Sequence, residues 1–314
     1  MEIRKAQEKD LPEILEVLKS SLGETSSQKT ETVWNYKHVE NPFGKSLVLV
    51  ACLYDKIVGV RAFMCWQWNY KGRKLSAFRA VDTATDPAHR GKGIFKKLTL
   101  KALEIGEKEN ISFVFNTPNS LSKPGYLKMG WKEVNKIGLS ISPANPLNFL
   151  KKGQFDPIIK QECSKSEFVE LLEKYNESLR KNNKLFTIKN ENFLDWRYQA
   201  NALQKYHVVK NKDFYLAAYL KDRGKYKELR ISELIFISSD GKKKAKKEIL
   251  ELSSNCSANF VSYSHANFKL GLLSYTGNIG PVLTLKGLNI DKSDALSFYN
   301  LKNWDYSLGD LELF

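Results

Sequence analysis

The sequence predicts a mixed α/β fold, α+β in class: a central mixed β-sheet flanked by helices, followed by a second unit of similar pattern. Three observations predict it. Two β-rich apolar runs, 46–54 and 57–64, meet at a short polar reversal, Asp55-Lys56, which reads as a hairpin. A third run, Leu75–Thr85, leads into a stretch with Ile94, Leu98, Ala102 and Ile105 on one helical face, and then into the apolar run Ile111–Phe115. Strand, helix, strand in that order makes the two flanking strands parallel or nearly so. The same succession of helix, hairpin, strand, helix and strand recurs after residue 160. A length of 314 residues fits two domains of about 150 each. The Pro143-Ala144-Asn145-Pro146 segment divides them into 1–145 and 146–314.

Taken in order, residues 1–7 alternate as a short strand. Asp10 stands where it would cap a helix with Leu11, Ile14, Leu15 and Leu18 on one face, and Gly23 ends that helix. A polar stretch, Glu24 to Thr30, leads to the segment Trp34–Gly44, where Pro42 and Gly44 interrupt any helix. The second half opens with a helix near Ser166–Lys181. Strand-like runs follow at 206–210, 214–220 and 229–238, and two or more short strands close the chain near Val282–Leu285 and Trp304–Leu308. The lysine-rich run 242–247 carries Ala245, Ile249 and Leu252 at helical spacing, so its lysines form the wet face of an amphipathic helix.

Composition sets bounds on function. A hydrophobic content of 42% supplies real cores, which argues against intrinsic disorder. Fifty Lys+Arg against 35 Asp+Glu leave a net charge of +15, which favours anionic partners: nucleic acid, or a phosphorylated cofactor or sugar nucleotide. No apolar run reaches 18 residues, so no membrane span is expected, and the first ten residues lack the apolar core of a secretory leader. Cys52, Cys65, Cys163 and Cys256 are scattered and form no CxxC, so neither a disulfide framework nor a zinc site is expected, and a reduced cytoplasm fits best.

The chemistry concentrates at Arg90-Gly91-Lys92-Gly93-Ile94-Phe95, between a strand and a helix. Main-chain N–H groups at a helix start point into one concavity and the helix dipole favours negative charge there. Glycines admit an anion close to the backbone and Lys92 adds charge, so a pyrophosphate is the natural ligand. This Arg-x-x-Gly loop resembles the acyl-CoA pyrophosphate loop of the GNAT superfamily of N-acyltransferases, with Phe95 where the family has Gly or Ala. A second segment, Asn119–Trp131, resembles that family's Asn-x-x-Ala…Tyr-x-x-x-Gly-Phe signature through Asn119, Ser122, Tyr126, Gly130 and Trp131. Phe193–Tyr198 resembles a segment of two-part acetyltransferases. The resemblance covers residues 1–135. The second half has no equivalent loop, its turn being Ser239-Asp240-Gly241-Lys242-Lys243-Lys244, and it reads as a degenerate GNAT-like unit.

The resemblance implies a GNAT fold and direct attack of a primary amine, on a small or sugar-linked acceptor, upon the thioester of acetyl-CoA. It places the cosubstrate on Thr83, Ala84, Thr85, Arg90, Gly91, Lys92, Gly93, Ile94, Phe95 and Asn119. Tyr126 takes the position of the general acid that protonates the departing thiolate. Asp82 is the candidate base, acting directly or through water, with a carboxylate satisfied by backbone donors as the alternative; His38 is a second candidate base, with a structural histidine as its favoured alternative. Trp34, Tyr36, Trp66 and Trp68 are candidate walls of the acceptor pocket, with ordinary core packing the favoured reading of each residue singly. No metal is called for. Two other readings stay open: another acyl or aminoacyl donor on the same fold, and a catalytically silent CoA-binding or nucleic-acid-binding protein. The sequence leaves acceptor and oligomeric state undetermined.

Overall fold

The computed structural model describes residues 1–23, 28–149, 153–264 and 268–311, so the polar stretch 24–30 lies outside the described residues up to position 27. The first half runs β1 (Glu2–Lys5), α1 (Leu11–Leu22), α2 (Glu31–His38), β2 (Leu47–Leu53), β3 (Lys56–Tyr70), β4 (Arg73–Thr85), α3 (Ile94–Lys108), β5 (Phe113–Asn116), α4 (Lys123–Lys128), β6 (Lys132–Lys136) and β7 (Leu139–Pro143). The second runs β8 (Ile159–Gln161), α5 (Lys165–Lys181), β9 (Leu185–Phe186), α6 (Glu191–Leu194), β10 (His207–Lys210), β11 (Phe214–Asp222), β12 (Lys227–Phe236), α7 (Ser239–Asn255) and β13 (Phe260–Tyr263). It ends with β14 (Tyr275–Gly277), β15 (Val282–Gly287), α8 (Lys292–Phe298), β16 (Trp304–Asp305) and α9 (Leu308–Leu311).

These strands form two mixed sheets. One follows the order β1-β2-β3-β4-β5-β15-β6, with β9 joined to β3 and β16 to β9; the other follows β14-β7-β13-β12-β11-β10-β8. The two orders match strand for strand, and they exchange a member. Beside β5 lies β15, a strand of the second half; beside β13 lies β7, a strand of the first. Pro143, the head of the expected boundary segment, is thus the last residue of a strand in the second sheet.

Local sequence explains the elements. Tyr54 and Asp55 both take left-handed φ, 48° and 62°, as a two-residue primed hairpin turn requires, so the reversal falls one residue before the expected pair. Helix α3 turns Ile94, Leu98, Ala102 and Leu103 inward onto β2 and β3. It lies so close that a Cβ on Gly59 would come within 2.6 Å of Ile94 Cγ2. Helix α7 buries Ala245, Ile249 and Leu252 and leaves its lysines outward, as the spacing predicts. Between the sheets sits an aromatic core in which Trp66, Trp68, Phe113 and Phe115 meet Phe193, Trp196 and Trp304. Burial of each such ring contributes roughly 1.5–3 kcal/mol, so the two halves are fused by their interiors.

Two expectations need correction. Asp10 precedes α1 without capping it by its side chain, because Arg4 draws the carboxylate into an ion pair at 2.6 Å and the Gln7 amide donates to it at 2.7 Å. The run Trp304–Leu308 is a strand only at its first two residues; it then turns into α9, where buried Asp310 accepts from Lys189.

Candidate active site

Strands β4 and β5 pair in parallel only from Ala77–Arg79 to Phe113–Phe115. Beyond that point β5 ends at Asn116 while β4 continues along β3 to Thr85, so the two strands part. The β3–β4 ladder passes from Arg61–Thr83 to Ala62–Val81, which leaves Asp82 as an unpaired bulge residue with φ of 34°. A bulge re-aims side chains and frees main-chain groups on its strand. At this opening lies a cleft of about 710 Å³.

Most of the residues singled out from the sequence line that cleft: Asp82, Thr83, Ala84, Thr85, Arg90, Phe95, Asn119 and Tyr126. Gly91, Lys92 and Gly93 are exposed beside it at the start of α3. Gly91 and Gly93 hold φ of 77° and 73°, a conformation that favours glycine. Gly93 is the N-cap of α3, and no side chain caps the helix. Ile94 is buried beneath the loop, against Gly59 of β3, and is not among the residues that line the cleft. Phe95 packs its ring edge-on against Tyr126 at 5.5 Å and covers Gly125, whose added Cβ would stand 2.9 Å from the ring. The Asn119 carboxamide oxygen accepts from the amides of Leu121 and Ser122 and from the Ser122 hydroxyl, so it shapes its own turn.

Two networks flank the cleft. On one side the Asp82 carboxylate binds Lys37 and His38 of α2 through the same oxygen, His38 Nε2 standing 2.9 Å away. Burial alone would push the Asp82 carboxyl up, but the Lys37 charge and the His38 hydrogen bond outweigh it and hold the group well below the ordinary carboxylate range. Burial lowers the His38 pKa, Asp82 offsetting part of the fall, and Nδ1 stands 2.8 Å from Ser46 Oγ. On the other side Tyr126, 4% exposed, accepts a hydrogen bond at 2.7 Å from Arg61, which also donates to Thr83 Oγ1.

Arg61 and Lys37 carry no sequence motif. Arg61 is signalled only as a lone charge inside the apolar run Ile57–Met64, and Lys37 only as the neighbour of His38. Of the aromatic candidates for the acceptor pocket, Tyr36, Trp66 and Trp68 are buried in the core between the sheets. Trp34 lines a separate pocket of about 600 Å³ together with His38 and Ser46. The Phe193–Tyr198 segment reaches the site indirectly: Trp196 stacks on Tyr36 at 5.2 Å and donates to its carbonyl at 2.9 Å, which pins α2 and so Lys37 and His38.

A family model of the acetyltransferase (GNAT) domain matches residues 2–134. The matched span, residues 2–134, holds the loop and the cleft just described, so the first half is similar to that domain. Among solved structures, a GCN5-related N-acetyltransferase from Anabaena variabilis superposes with a TM-score of 0.65 at 13% identity, over 92% of this chain and 73% of that one. A GCN5-related N-acetyltransferase from Kribbella flavida gives 0.62 at 13%, over 92% and 71%. The N-myristoyltransferase of Saccharomyces cerevisiae, solved with bound myristoyl-CoA, gives 0.54 at 11%, over 91% and 78%. At these identities the likeness is one of fold, and it extends over both halves. No curated protein matches the sequence.

Proposed function

We propose that the protein transfers an acetyl group from acetyl-CoA to a primary amine of a small or sugar-linked acceptor, by direct attack and without a covalent enzyme intermediate. The observation that carries this reading is the convergence of the uncapped start of α3, the bulged end of β4 and Tyr126 on one cleft. The diphosphate sits on the main-chain amides of 91–95, where Arg90 and Lys92 add positive charge. The pantetheine arm pairs with the main chain of Thr83–Thr85 as an added strand. A main-chain N–H of β4 polarises the thioester carbonyl. Tyr126 gives its phenol proton to the sulfur as the C–S bond breaks.

Asp82 faces the same cleft as a carboxylate. It receives the hydrogen bond of the incoming amine and steers the amine proton to water. Residues 1–145 supply this chemistry, and 146–314 form a GNAT-like unit that holds α2 and the sheet in place. All four cysteines are free thiols, which supports a reducing compartment such as the cytoplasm.

The test is thiol release from acetyl-CoA in the presence of amines, amino sugars and peptides, alongside calorimetric titration with acetyl-CoA at two salt concentrations. One-to-one binding and amine-dependent release support the reading. Tyr126→Phe should lower kcat by about 100-fold, as loss of a general acid does, with acetyl-CoA affinity nearly unchanged; full turnover in that variant removes Tyr126 from the role. Affinity for nucleic acid that falls steeply with salt, with no thiol release, would favour the silent binding reading instead.

A further inference from the structure

Arg61 of β3 is wholly buried, at 0% exposure, between the buried apolar residues Val60, Ala62 and Phe63. Among the described residues no carboxylate pairs with it. Its guanidinium instead has only neutral oxygens for partners, the hydroxyls of Tyr126 and Thr83. Its Nε and Nη2 have no hydrogen-bond partner at all. The charge is enclosed by aromatic rings, 4.5 Å from the centre of Phe63, 5.2 Å from Tyr126 and 5.7 Å from Phe95. A buried cation without a counter-ion is costly to keep in a folded protein, and a methionine would fill the same space without that cost. Its place is explained if a negative charge appears beside it during turnover.

We propose that Arg61 is a positioning residue for the acid step, holding the Tyr126 hydroxyl and serving as counter-ion to the phenolate that the step creates. The inference rests on the reading of Tyr126 as the acid. Because Arg61 donates to the phenol oxygen, that oxygen's own proton is turned away from the guanidinium and is free to point at the sulfur. When the thioester C–S bond breaks, the bonding pair stays on sulfur and the Tyr126 proton moves to it. The phenolate left behind lies 2.7 Å from Arg61 Nη1 and regains a proton from water once the products leave. In a low-dielectric site such a fixed donor holds the developing phenolate charge far more strongly than it holds the neutral phenol, so it raises kcat without tightening cosubstrate binding.

The experiment measures kcat and KM for acetyl-CoA in Arg61→Met and Arg61→Lys, with hydroxylamine as the neutral acceptor and thiol release as the signal. Thermal melting and calorimetric acetyl-CoA binding confirm that each variant folds. Arg61→Met should lose roughly 100-fold in kcat, the scale of one preorganised donor, with KM for acetyl-CoA little changed. Arg61→Lys, which keeps the charge, should recover most of that loss, and Arg61→Met should have almost no further effect in a Tyr126→Phe background. A folded Arg61→Met with parental kcat, a lysine variant as poor as methionine, or additive losses in the double variant would overturn the inference while leaving the acid role of Tyr126 intact. A Tyr126→Phe variant with full activity, or a parent that releases no thiol, would instead defeat the underlying reading and this inference with it.

Discussion

The two halves share a strand order, a helical crossover and a bulge, yet the helices that follow their bulged strands start differently. In the first half the helix after the bulged strand starts at Gly93, in the left-handed region and without a side-chain cap. In the second, α7 starts at Ser238, whose hydroxyl accepts from the Gly241 amide at 3.0 Å. That amide is already satisfied from within the chain. The bulges diverge in the same way: Asp82 faces the cleft, whereas Ser232, skipped by the β11–β12 register, is wholly buried, and its neighbour Glu233 binds Lys189 and Ser307. One architecture thus serves two ends. Where the helix start and the bulge are left open lies the site proposed for the cosubstrate; in the second half a serine cap and a buried Glu233–Lys189 pair take those places.

Substitutions at the two helix starts sharpen this contrast. The largest effect belongs to Gly93→Asp, which places a carboxylate against the proposed diphosphate and a side chain at φ of 73°. Acetyl-CoA affinity measured by calorimetry should fall by roughly 100-fold, the equivalent of about 3 kcal/mol of repulsion at close range. The matching change in the second half, Gly241→Ala, should do the opposite. Its Cβ would lie 2.2 Å from the Asp213 carbonyl oxygen, so stability should drop by about 2 kcal/mol, seen as roughly 5 °C in Tm, with acetyl-CoA affinity unchanged.

A third comparison uses the buried histidines, His38 in the first half and His207 in the second. Burial lowers the pKa of both, with Asp82 beside one and Glu248 beside the other. A proton that the unfolded chain takes up near pH 6.5 is therefore refused by the folded one. Their contribution to stability is complete above that pH and lost as pH falls toward the folded values, by up to about 1.4 kcal/mol per pH unit for each. Tm followed from pH 7.5 to 5 should decline less steeply in His38→Gln and in His207→Gln than in the parent; parallel curves would contradict the assignment. The smallest effect is that of Ser238→Ala, which removes the α7 cap. About 1 kcal/mol of stability should go, with cosubstrate binding untouched.

What could be read from the sequence was local. The hairpin, the strand–helix–strand unit and the lysine-faced helix follow from side-chain period, and the loop follows from two glycines at a helix start. What could not be read was long-range. Nothing in Val282–Gly287 says that it pairs with β5 rather than with its own half, and nothing in the short run Leu139–Pro143 sends it to the other sheet. The site divides along the same line. Asp82 and Tyr126 stand in recognisable segments, but Lys37 and Arg61 gain meaning only from partners 45 and 65 residues away. Tyr36, Trp66 and Trp68 pack in the core, the favoured reading of each, but aromatic content alone does not say that the second half is what covers them.

The central claim is that main-chain amides at the start of α3 receive the diphosphate of coenzyme A. A crystal of the full chain soaked with acetyl-CoA tests it directly. The account predicts diphosphate oxygens about 3 Å from the main-chain nitrogens of residues 91–95, with the thioester lying between β4 and Tyr126. A nucleotide bound elsewhere on the molecule, with those amides facing only water, would contradict it.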